Sequence, residues 1–109
     1  MTPASTSHEK EVILIVDDAL ANLDLLTRTL EPLGYRILAA PTSASALSIA
    51  ARAKPDMVLL DIVLPDSDGY ETCRQLHSNP HLSEISVLFI TARTETGSLV
   101  EAFRAGGID

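Results

Sequence analysis

The sequence has no tryptophan, and only two phenylalanines and two tyrosines among its 109 residues. Any core it builds must therefore be aliphatic. Cysteine is nearly absent as well: Cys73 stands alone, which excludes a disulfide framework and a thiolate metal site. At a helix-like position such a residue is most simply a small packing side chain. Basic residues are scarce, with 8 Lys and Arg against 15 Asp and Glu and a formal net charge of −7. Grip on a nucleic-acid backbone needs clustered Lys and Arg, so nucleic acid is not an expected partner, whereas a cation or a basic protein face is admitted. No apolar run approaches the ~20 residues that span a bilayer. The N-terminus also lacks the basic stretch and apolar segment of a secretory signal. The expectation is one soluble, cytoplasmic domain.

What is present is an alternation. Residues 1–10, "MTPASTSHEK", are polar and small and read as a disordered leader. Val12 to Val16 is a continuous apolar, β-branched run that suits a central parallel strand. It ends in Asp17-Asp18. Leu23, Leu26, Leu30 and Leu33 then recur at helical spacing, with Pro32 and Gly34 as the stop. "YRILAA" is a short second strand. Thr42 or Ser43 can cap a helix that runs to about Ala53 with Ala44, Leu47 and Ala51 along one side. Met57 to Leu60 form a third strand ending at Asp61. Tyr70, Cys73, Leu76 and His77 mark the inner side of a third helix, which Asn79-Pro80 stops. Ile85 to Thr91 is a fourth strand. A fourth helix is expected over roughly Thr94 to Ala105, with Leu99, Val100 and Phe103 inward. Strands and helices alternating at short spacing imply an α/β fold, a parallel sheet with helices on both faces.

In an open parallel sheet, ligands sit beyond the carboxyl ends of the strands. Here the polar residues gather at those ends: Asp17 and Asp18 after strand one, Asp61 after strand three, Thr91 after strand four. A single aspartate after a strand is commonly a helix cap, and Asp18 could cap the first helix. That plain reading must explain three strand ends at once. Clustered carboxylates repel and raise one another's pKa, and a divalent cation removes the cost. Oxygen-only ligation selects a hard ion such as Mg²⁺ or Ca²⁺. One acid of such a set can accept a phosphoryl group as an aspartyl phosphate, and Thr91 could donate a hydrogen bond to it.

The stretches "ILIVDD…NLDLL…L…GY" (Ile13 to Tyr35), "PDMVLLDIVLPDSDGYE" (Pro55 to Glu71) and "ISVLFITA" (Ile85 to Ala92) resemble the receiver domain of bacterial two-component response regulators. The resemblance covers the chain after its leader, residues 11–109. It implies a flavodoxin-like doubly wound sheet of strand order 2-1-3-4. It implies that Asp61 takes a phosphoryl group from a histidine kinase or phosphotransfer protein. It also implies that Asp17, Asp18, Asp61 and the backbone carbonyl of Val63 hold Mg²⁺, and that Thr91 moves toward the phosphoryl group in the active form. Pro65 and Gly69 match the loop that shapes the pocket. The family carries in addition a fifth strand with a lysine and a switch aromatic, then a fifth helix. This chain reaches Asp109 before either. The expectation is a C-terminally incomplete receiver domain, with impaired phosphorylation, lower stability, or self-association through an uncovered sheet edge and face.

Other readings are weaker. "DSDG" at Asp66 to Gly69 suggests a haloacid-dehalogenase-like phosphatase, but that family places its acids directly after an apolar strand, and here Pro65 intervenes. A calcium loop with Gly69 as sixth position would begin at Leu64, which is no ligand. A protein-interaction module that no longer cycles phosphate is the alternative within the fold. His77 and His81 flank Asn79-Pro80 away from the carboxyl edge and read as surface histidines.

Overall fold

Four apolar runs become four parallel strands in a computed structural model, which describes residues 10–90. In chain order the elements are β1 (Val12–Val16), α1 (Leu20–Leu30), β2 (Arg36–Ala40), α2 (Ser43–Ala53), β3 (Met57–Asp61), α3 (Gly69–Ser78) and β4 (Ser86–Ile90). Short 3₁₀ turns at Glu31–Leu33 and Pro80–Leu82 follow α1 and α3. The strand order is β2-β1-β3-β4, and every neighbouring pair is parallel. The expected fourth helix lies outside the described residues, as does Thr91. The leader, apart from Lys10, lies outside them too.

The strands at the centre are buried on both faces, which is why β1 and β3 read as unbroken apolar runs rather than alternating ones. Leu14, Val16, Val58 and Leu60 point to one side and pack with Ala46, Ala50, Leu76 and Leu82 under α2 and α3. Ile13, Ile15 and Leu59 point to the other and pack with Leu23, Leu26 and Leu30 of α1. The sheet is thus a two-sided core, and its helices shield it from water on both faces.

Three details differ from the sequence reading. Leu33 leaves the α1 stripe and is exposed, because the helix gives way to a 3₁₀ turn that ends on Gly34 at φ 102°. On α2 the buried residues are Ser43, Ala46 and Ala50, not Ala44 and Ala51, and Leu47 is half-buried. An Ala/Ser-rich segment offers little hydrophobic contrast, so periodicity alone does not choose its inner face. Ser43 can be buried because its hydroxyl lies 2.8 Å from the hydroxyl of Thr72. On α3 the buried residues are Gly69, Thr72 and Leu76. Tyr70 is exposed, its ring resting 4.9 Å from that of Phe89, and His77 is exposed as well.

Candidate functional site

The register of β1 against β3 pairs Val16 with Leu60, so the next residue of each strand, Asp17 and Asp61, emerges side by side. Asp18 follows at the mouth. One carboxylate oxygen from each of Asp17, Asp18 and Asp61 lies within 4.8 Å of the others. Asp17 and Asp61 are buried, at 3% and 6% exposure, and Asp18 is exposed. β2 ends at Ala40 and brings no polar side chain, though its carbonyl accepts the Asp17 N–H at 3.1 Å.

Each acid is held differently. Asp17 accepts the Ala19 N–H at 2.9 Å through Oδ1 and the Asn22 amide at 3.0 Å through Oδ2. Asp18 is not the cap of α1. That helix starts after Ala19 with no side-chain cap, because Asp17 already occupies the turn. Asp61 accepts the Val63 N–H at 3.2 Å through Oδ1. Its carboxyl is pushed above the ordinary value, first by burial and then by the charges of Asp17 and Asp18. The Val63 and Ile62 N–H groups offset part of this.

The loop after β3 is shaped by its own backbone. Gly69 N–H donates to the Ile62 carbonyl at 2.6 Å and Leu64 N–H to that of Ser67 at 3.1 Å. Val63 and Asp68 pair as an antiparallel bridge. A Cβ on Gly69 would run into the carbonyl oxygen of Asp61 and sit 2.8 Å from the Ile62 Cα, so glycine is required here for close approach rather than for an unusual dihedral. Asp68 caps α3, accepting the Glu71 N–H at 2.7 Å. Val63 is 71% exposed, with its side chain in solvent.

Asp66 lies in this loop, where sequence alone gives it no partner. Its carboxylate accepts two N–H groups at the start of α2, from Ser43 at 2.8 Å and Ala44 at 3.0 Å. These bonds, Ala44 first, hold its carboxyl below the ordinary range. The partners are 22 and 23 residues away in sequence, and no local pattern announces such a contact. His77 and His81 take no part in the acid cluster. Both are exposed, and His77 Nε2 lies 2.9 Å from the Ile85 carbonyl.

The receiver-domain model of response regulators matches residues 13–109. The chain belongs to this family. It is 38% identical over 97 residues to the response regulator PleD of Caulobacter vibrioides, a match covering 89% of this chain and 21% of PleD. It is 36% identical to Protein PilH of Pseudomonas aeruginosa, covering 89% of this chain and 80% of PilH. The chain thus spans about a fifth of PleD and most of PilH. The N-terminal domain of a response regulator receiver protein from Methanoculleus marisnigri superposes with TM-score 0.72 at 36% identity, covering 87% of this chain and 76% of that one. The HemR receiver domain of Leptospira biflexa does so with TM-score 0.70 at 28% identity, covering 89% and 77%. The receiver domain is the phosphorylation-dependent signalling part of a response regulator, and the parallel order 2-1-3-4 is its fold.

Proposed function

We propose that residues 11–109 act as a phosphorylation switch in which Asp61 is the phosphoacceptor, and that Asp17, Asp18, Asp61 and the Val63 carbonyl hold Mg²⁺. The observation that carries this reading is the cluster itself. Three carboxylates from two adjacent strand ends bring an oxygen each within 4.8 Å of one another, and burial and mutual repulsion raise the carboxyl of Asp61. A hard divalent cation fits such a donor set, which contains oxygen and neither imidazole nor thiolate. When bound, Mg²⁺ supplies positive charge against the carboxylates and the phosphoryl oxygens.

The chain's own residues do the rest. The Val63 N–H holds Oδ1 of Asp61 and so fixes the plane of the carboxylate. A carboxylate oxygen of Asp61 forms the new O–P bond as the P–N bond of a phosphohistidine breaks, and the electron pair stays on the imidazole nitrogen. The donor is a histidine kinase or phosphotransfer protein. Thr91, which ends the β4 run in sequence, is the hydroxyl that turns toward the new phosphoryl group. The readout is a shift between two populated states of the segment expected to form the fourth helix. Val63, two residues after Asp61, is apolar and solvent-facing, so it cannot orient an attacking water, and self-dephosphorylation is slow.

Cytoplasmic placement accords with the absence, among the described residues, of a helix long and apolar enough to cross a membrane. Self-association through the sheet edge belongs to the same reading, β4 being one of the two edge strands of the described sheet. Light scattering across a concentration series tests it.

Incubation with acetyl phosphate and Mg²⁺, followed by peptide mass spectrometry, tests the function. One phosphoryl group on Asp61 is expected, and none when the metal is chelated before the phosphoryl donor is added. A folded chain that takes no label would instead be a non-cycling interaction module.

A further inference from the structure

The loop from Ile62 to Asp68 is a closed tongue. Its base is tied at Gly69 to Ile62 and its middle at Leu64 to Ser67. Beyond these internal bonds, the tip at Pro65–Ser67 makes hydrogen bonds to the rest of the described molecule only through Asp66, to the Ser43 and Ala44 N–H groups. The α2 helix does not need Asp66 for an ordinary cap. Thr42 already accepts the Ser45 N–H at 3.1 Å and the Ala46 N–H at 3.0 Å, and Ser45 returns a bond to the Thr42 N–H. Asp66 takes the two N–H groups that Thr42 leaves free, so all four orphan donors of the first turn are satisfied.

Ser43 is also held from the other side. Its hydroxyl lies 2.8 Å from that of Thr72, both being buried. Thr72 spends its own proton on the Asp68 carbonyl at 2.9 Å, so Ser43 is the donor to Thr72. The first residue of α2 therefore grips the tip of the tongue directly, through its N–H, and reaches its end at Asp68 only through Thr72 of α3.

We propose that Asp66 is a positioning residue for the phosphoacceptor site: by accepting the two N–H groups of α2 it fixes the tongue that carries Val63, without itself joining the acid cluster. This rests on the function proposed above, because Val63 matters through its N–H to Asp61 and its carbonyl toward the cation. Partners that orient metal ligands without touching the metal commonly change affinity by about tenfold or more.

The test compares Asp66→Ala, Asp66→Asn and Thr42→Ala in the full chain. In cation-free buffer, amide hydrogen exchange at Leu64 and Gly69 should speed up roughly five- to tenfold in Asp66→Ala, as expected when one anchor of a loop is lost. Mg²⁺ binding, read by calorimetric titration, should weaken by about tenfold. Asp66→Asn keeps acceptor oxygen but no charge and should fall between the unaltered chain and Asp66→Ala in both. Thr42→Ala removes a cap of the same helix without touching the tongue, and should move neither. Unchanged exchange in Asp66→Ala overturns the proposal. So does Asp66→Asn matching Asp66→Ala in both readouts, which would make the effect one of charge. Equal loosening in Thr42→Ala, a sign of helix stability alone, overturns it as well. If the unaltered chain binds no Mg²⁺, the proposed function fails, and the exchange rates still decide the role of Asp66.

Discussion

The two ends of the β1–β3 pair handle aspartate in opposite ways. At the amino end, Asp56 closes a two-way clamp with Val12. Its carboxylate accepts the Val12 N–H at 2.7 Å and its own N–H donates to the Val12 carbonyl at 2.8 Å. At the carboxyl end, Asp17, Asp18 and Asp61 bring oxygens together, and backbone donors meet only part of their capacity. A carboxylate matched by N–H groups is part of the scaffold. Carboxylates that face one another hold unfavourable charge that a cation can relieve. The difference between ends is one of partners, not of residue type.

The sharpest way to break this comparison is Asp61→Asn. Labelling by acetyl phosphate should vanish, while metal-free stability should rise by on the order of 1 kcal/mol, a melting shift of roughly 4–8 °C for a domain of this size. A lower melting midpoint would show that Asp61 is scaffold after all. Next in size is Gly69→Ala. The new methyl meets the backbone of Asp61 and Ile62, which cannot swing aside as a side chain can, so a loss of about 1–3 kcal/mol in denaturant unfolding is expected. Asp56→Ala should cost about 1 kcal/mol through its unpaired partner and leave Mg²⁺ affinity unchanged. A weakened Mg²⁺ site in that variant would mean that the two ends are not independent.

The smallest effect is in pH. The carboxyl of Asp61 is raised above its ordinary 3.8. Its ionised form therefore costs metal-free stability above the raised value, and the cost lifts as pH falls through that value and is gone below 3.8. Asp66 runs the other way, since its carboxyl is lowered from 3.8. Its stabilisation is full above 3.8 and is lost as pH falls through the depressed value. Melting curves of the unaltered chain, Asp61→Asn and Asp66→Asn at stepped pH should separate the two. The gain from Asp61→Asn should shrink on acidification from neutral, and the loss from Asp66→Asn should disappear only at the acid extreme.

The β1 and β3 strands and their acidic ends were legible because runs buried on both faces leave an unmistakable pattern, and because a parallel sheet sends its strand ends to one edge. The family resemblance carried the order 2-1-3-4, which the strand pairing shows directly. The faces of α2 and α3 were less legible. Ser43 and Thr72 are buried by satisfying each other's hydroxyls, a pairing between residues 29 apart that hydropathy scores as two surface positions. Asp66 was unreadable for a related reason: nothing in "LPDSDG" tells that its carboxylate reaches the start of α2. A cap role for Asp18 was the plain alternative to a place in the acid cluster, and sequence alone could not discard it; Ala19 stands between Asp18 and α1, and that helix starts with no side-chain cap.

The most direct test is a thermal-melt titration with Mg²⁺ on the unaltered chain, Asp18→Asn, Asp61→Asn and Asp56→Ala. A ligand that binds only the folded state raises stability with its concentration. The midpoint of the unaltered chain and of Asp56→Ala should climb in parallel as Mg²⁺ is added, while those of Asp18→Asn and Asp61→Asn stay nearly flat. A flat curve for the unaltered chain, or an equal rise in all four, would contradict the claim that the open carboxylates at the sheet's carboxyl edge form a cation site.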